Sequence, residues 1–131
     1  LNARRDWGHA KDYTEMQWRI MQQKKPKDYV IATGHAYSVK QFVNIAADYL
    51  GMKILWSGKG LNEIGYTFNK NKKEILIKID KKYFRPNEVE YLKGDASKAL
   101  KDLKFKPKYS FKALVEDMID NDLLEAKKEL E

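Results

Sequence analysis

At 131 residues, 43% hydrophobic and 12% aromatic, the chain has the length of a single domain and a composition too apolar for a disordered one. Its lack of cysteine excludes a disulfide framework, a cysteine-ligated metal site and thiol chemistry within these residues. The formal charge of +7 comes mostly from lysines scattered among acids, as in Lys24-Lys25-Pro26-Lys27 and Lys70-Asn71-Lys72-Lys73, which reads as a solvated surface and implies no nucleic-acid partner. No stretch reads as a signal peptide or a bilayer span, so the expectation is a soluble, cytoplasmic protein.

Residues 9–23 carry Tyr13, Met16 and Ile20 at helical spacing, and the stretch around Pro26 ends them. Asp28 to Gly34 is apolar on both faces and predicts a buried parallel strand. Ser38 with Gln41 forms a capping-box pattern for a helix over 39–50, and Gly51 suits its left-handed end. Lys53 to Trp56 predicts a strand, Ser57 to Asn71 a glycine-rich loop, and Glu74 to Asp80 a half-buried strand; the two strands are expected to pair with each other. Asp95 is an N-cap candidate for a helix over 96–103, and Ser110 for a last amphipathic helix to about Lys128. Lys127 to Glu131 is charged enough to fray. The alternation gives an α/β assignment of mixed helices and a few short strands, one domain over 1–131.

A nucleotide diphosphate needs cations around it, preferably arginine, whose planar guanidinium grips two oxygens at once. A ribose needs a carboxylate that accepts from vicinal hydroxyls. Arg85 and Glu88 stand three apart and would share one face of a helical turn; spacing alone fits a surface ion pair equally well. Asp6 and His9 invite an acid–base reading, and Trp56 and Tyr66 a stacking one, but each also fits packing or turn structure. His9 and His35 are not at metal-ligand spacing, so no metal is expected. Gly58-Lys59-Gly60 does not open a strong helix, and no dinucleotide-binding glycine turn follows a strand.

Four strings carry a family resemblance: Arg5-Asp6-Trp7-Gly8-His9-Ala10-Lys11-Asp12-Tyr13; Tyr29 to Gly34 with Tyr37 to Val43; Tyr83-Phe84-Arg85-Pro86-Asn87-Glu88-Val89; and Gly94 to Ala99. Through them, almost end to end, the chain resembles the C-terminal, substrate-binding portion of the GDP-mannose 4,6-dehydratases, in the extended short-chain dehydrogenase/reductase group. The Arg-Asp-x-x-His and Arg-Pro-x-Glu elements are shared with many nucleotide-sugar enzymes; Trp7-Gly8 and Tyr83-Phe84 point to the GDP-mannose branch.

The resemblance implies a longer parent that converts GDP-mannose to GDP-4-keto-6-deoxymannose, toward GDP-fucose, with tightly held NADP. It implies that Arg5 and Arg85 contact the nucleotide diphosphate and Glu88 the ribose. It makes Asp6 and His9 structural. It also places the Rossmann half, with the cofactor loop and the Ser/Thr–Tyr–Lys set, before Leu1, which reads like the middle of a longer chain. No catalytic or cofactor-binding residue is then expected here, and the Tyr66 to Lys70 pattern lies too late in the chain to be the catalytic pair. GDP-mannose or GDP is the expected ligand. The apolar run Tyr29 to Ala32 would be left as an edge that a second copy could cover, giving a homo-oligomer. Two alternatives stay open: a non-catalytic basic module that binds nucleotides or nucleic acid, and the same portion of another nucleotide-sugar epimerase or dehydratase.

Overall fold

In the computed structural model, which describes residues 1–130, helices and short antiparallel strands make up two units. The first unit is built from residues 1–42 and from the chain from Val89 onward; the second is the continuous stretch Val43–Glu88. No helix among the described residues is long and apolar enough to cross a membrane.

In the first unit, β1 (Arg4–Arg5) pairs antiparallel with β2 (Tyr37–Ser38). Arg4 also makes a parallel bridge to Tyr91, donating its N–H to Glu90 and accepting that of Leu92. Helix α1 (Ala10–Met21) starts where His9 Nδ1 accepts the N–H of Lys11. Helix α2 (Val39–Tyr49) opens on the expected capping box: Gln41 N–H donates to Ser38 Oγ at 3.1 Å, and Ser38 N–H to Gln41 Oε1 at 2.8 Å. It runs on into the second unit and stops at Gly51, whose φ of +69° is left-handed. Helices α3 (Ser97–Leu103) and α4 (Phe111–Glu129) complete the first unit.

Met16, on the inner face of α1, is fully buried against Ala99, Leu103 and Phe105, and Ile20, Tyr29 and Ile31 close over this core. An aromatic cluster stands beside it in the same unit. Tyr37 stacks on Phe111 with centroids 4.0 Å apart, and Trp7 packs edge-on against Phe42 at 5.0 Å.

In the second unit, β3 (Leu55–Ser57), β4 (Ile64–Asn69) and β5 (Lys72–Lys78) form an antiparallel sheet in the order β3-β4-β5. Trp56 donates its indole N–H to Asn44 Oδ1 on α2. A bulge at Gly65/Tyr66 lets Trp56 and Ile77 close over Gly65, where a Cβ would sit 3.1 Å from each.

Several expectations are corrected. Asp28 to Gly34 forms no strand: among the described residues no strand pairs with it to supply a ladder, and Asp6, Lys98 and Asp102 bond to it through their side chains instead. The expected loop over 57–71 contains the central strand β4, so the strands before and after it each pair with β4 and not with each other. Asp95 does accept the N–H of Ser97, but α3 begins at Ser97 with Ala96 in the cap position. The tail expected to fray, Lys127 to Glu131, stays helical to Glu129, and Glu131 lies outside the described residues.

Candidate functional site

Arg85 and Glu88 lie in the second unit, directly after a 3-10 turn at Lys81–Tyr83 that Asp80 caps by accepting the N–H of Lys82. They do not sit on a helix. Pro86, with its fixed φ, sets up a tight turn in which Glu88 N–H donates to the Arg85 carbonyl at 3.3 Å. The turn still brings the two side chains together: Arg85 Nη1 lies 3.8 Å from Glu88 Oε2. The Arg85 side chain is 80% exposed, so its guanidinium is largely open to water. A cation and a carboxylate presented side by side can address a phosphate and a neighbouring hydroxyl pair.

Arg5 lies in the first unit, on β1, where its Nη1 donates to the Arg4 carbonyl at 2.8 Å.

Asp6 organises three separate segments. Its Oδ1 accepts the N–H and hydroxyl of Thr33, and its Oδ2 accepts the N–H groups of Gly34 and Gly94. It therefore ties together distant backbone and not only a local turn. His9 is buried; besides capping α1, its Nε2 lies 3.0 Å from Asp117 Oδ2 on α4, and its ring stacks on Tyr109. That contact, reinforced by Lys11, holds the Asp117 carboxyl below its ordinary value. Asp12, also buried, accepts the N–H groups of Lys108 and Tyr109. Arg19 binds Glu15 and reaches the carbonyls of Leu103 and Lys104 at the end of α3. The polar side chains around α1 are thus engaged in holding the first unit together.

Sequence reading missed one feature of that unit. A cleft of about 870 Å³ lies among Trp7, Thr33, Tyr37, Ser97, Lys106 and Phe111. Its lining comes from four separate stretches of chain, so no linear motif announces it.

In the second unit, Trp56 is held by Asn44, and Tyr66 packs edge-on to Phe68 under the Lys73 ammonium. Lys70 sits in the β4–β5 turn with a φ of +47°.

A family model described as GDP-mannose 4,6 dehydratase matches residues 1–118. The chain is similar to the GDP-mannose 4,6 dehydratase of Cricetulus griseus, 46% identical over 123 residues that cover 94% of this chain and 32% of that protein. The Homo sapiens protein of the same name is 44% identical, again over 94% of this chain and 32% of its own length. The GDP-mannose 4,6-dehydratase of Yersinia enterocolitica is 42% identical over 97% of this chain and 36% of its own. The chain spans about a third of the length of the curated relatives it matches. With its matched residues running from the Arg5 strand through the Arg85 turn and into α4, the chain belongs to the GDP-mannose 4,6 dehydratase family.

Proposed function

We propose that this chain supplies the diphosphate and ribose contacts of an NADP-dependent GDP-mannose 4,6-dehydratase, a lyase of the extended short-chain dehydrogenase/reductase group that acts on the way to GDP-fucose. The carrying observation is the exposed Arg85–Glu88 turn within a chain that matches the family over residues 1–118. In this reading the Arg85 guanidinium grips phosphate oxygens in a two-pronged bond, and Glu88 accepts from ribose hydroxyls. Arg5 supplies the second cation. The Arg85–Glu88 pair must loosen as the ligand enters. That costs little, because an exposed ion pair contributes roughly 0–1 kcal/mol.

We assign no cradle for the dinucleotide to the described residues. Gly58-Lys59-Gly60 leads into a 3-10 turn at Gly60–Asn62, and a side chain at Gly58 would strike the Asn62 carbonyl, so this loop is closed on itself. The first N–H groups of α2 face its own capping box. In this reading no step of the reaction is assigned to residues of this chain, which recognises substrate and is inactive by itself.

Calorimetry with GDP-mannose and with GDP tests the reading. Arg85→Ala should abolish whatever binding the unaltered chain shows, and Glu88→Gln should weaken GDP more than inorganic pyrophosphate. Unchanged affinity in Arg85→Ala would remove the assigned role. Incubation with GDP-mannose and NADP should give no 4-keto product by chromatography; product would contradict the inactivity.

A further inference from the structure

The second half of α4 is helical without anything packed on it. From Asn121 to Leu130 every residue is exposed, including Leu123, Leu124 and Leu130, the last at 88%. The match to the family model ends at residue 118, so this stretch lies past it. Leu124 apart, its apolar residues are nevertheless ordered. Together with the half-buried Ile119 just before them, Leu123, Ala126 and Leu130 are spaced by four, three and four, the alternation of a coiled-coil seam. This stripe does not simply continue the face that α4 buries. Phe111 and Val115 are buried and Leu114 is half-buried, and at 3.6 residues per turn they point about a quarter turn away from it.

We propose that this stripe pairs with the same stripe of a second copy of the chain, the two helices lying parallel. The choice of occupant rests on charge. Asp122 and Lys127 flank the seam on its two sides, five residues apart. In a parallel pair Asp122 of each copy meets Lys127 of the other, so the two-fold axis produces two attractive contacts. An antiparallel pair would set Lys127 against Asp120 but also Asp122 against Glu129, two attractions cancelled by two repulsions. Pairs at these flanking positions set orientation more than strength. The quarter-turn offset makes the parallel arrangement compatible with the rest of the first unit. Segments packed on the buried face of α4 fall on opposite sides of the two-fold axis. The first turns of α4 are fixed by Phe111, Val115 and the Ser110 cap, so the tail bears no helix-nucleation cost when it pairs.

Sedimentation equilibrium of the 131-residue chain over a range of concentrations tests this. A monomer–dimer equilibrium is expected. Leu123→Asp should weaken it by at least about tenfold, since it places a carboxylate in a desolvated seam. Circular dichroism should show that this exposed substitution leaves the helix intact. Asp122→Lys and Lys127→Glu should each weaken self-association, and an equimolar mixture of the two should restore it as a heterodimer. A monomer at every concentration overturns the proposal. So does a dimer that Leu123→Asp leaves unchanged, which would place the contact elsewhere, for example along Tyr29–Ala32. Tightening by Asp122→Lys would show the antiparallel arrangement and overturn the parallel one.

Discussion

Asp6 Oδ2 accepts the backbone N–H of Gly94, 88 positions further along the chain, at 3.2 Å. The same carboxylate serves Thr33 and Gly34, so one side chain satisfies three backbone N–H groups from two other segments. Asp6→Ala would leave all three without it. A loss of about 2–4 kcal/mol is expected, because a charged acceptor is removed and partly buried donors are orphaned. Urea unfolding measures it; a loss below about 1 kcal/mol would mean that water replaces the carboxylate freely.

Gly94 shows why that junction tolerates no side chain. A Cβ there would lie 2.2 Å from the Ala32 Cβ, which has no flexible end to swing aside. Gly94→Ala should therefore cost about 1–3 kcal/mol by overpacking. Gly51→Ala is the contrasting case, since nothing lies within 4 Å of its Cβ and only the φ of +69° resists. Its cost should be about 1–2 kcal/mol, the left-handed penalty alone. Melting curves of the two variants separate steric from backbone strain, and a neutral Gly94→Ala would refute the contact.

Three carboxyls are held below their ordinary values: Asp117 chiefly by His9, Glu15 by its bonds to Lys108 and Arg19, and Asp95 by Ser97. A depressed folded pKa means that the unfolded chain binds the proton first. Each group then contributes stability that is fully present above its ordinary value, 3.8 for the aspartates and 4.5 for Glu15, and is lost as pH falls through the folded value. Stability should thus hold from neutrality down to that range and fall below it. Asp117→Asn should flatten this acid limb in pH-dependent denaturation, and an unaltered slope would show that the pairing is not maintained in solution.

Ser110 Oγ accepts the N–H of Ala113 at 3.1 Å at the start of α4. Ser110→Ala should cost about 1 kcal/mol, and Ser110→Asp should keep most of the stability, since both side chains cap well. Equal losses in the two variants would show that the hydroxyl contributes nothing as a cap.

Helix starts were legible because a cap is a local, chemically specific signal: Ser38 with Gln41, and Ser110, stand where they were expected. The strand β4 was not. Gly65, coming after Gly58 and Gly60, makes the stretch read as a glycine-rich loop despite the alternation of Ile64, Tyr66 and Phe68, although its lack of a side chain is what admits Trp56 and Ile77. Asp28 to Gly34 failed in the opposite direction: it has strand composition, but a ladder belongs to pairs of segments and not to one. Of the candidate site, the spacing of Arg85 and Glu88 foretold their contact, while a prolyl turn makes it in place of a helix. The cleft beside Trp7 was invisible because distant segments line it.

The division of the first unit into two stretches of chain has a kinetic consequence. Asp12 reaches Lys108 across 96 positions, and Met16 shares its buried cluster with Ala99, Leu103 and Phe105. The second unit, by contrast, joins β4 to β5 across a short turn. Closing a long loop must be met in entropy before its contacts form, whereas a hairpin closes at once. During synthesis the β4–β5 hairpin is complete while α1 still lacks most of its core. We therefore expect pulse-labelled hydrogen exchange during refolding to protect the amides of β4 and β5 ahead of those of α1, and simultaneous protection would show that the two units fold as one.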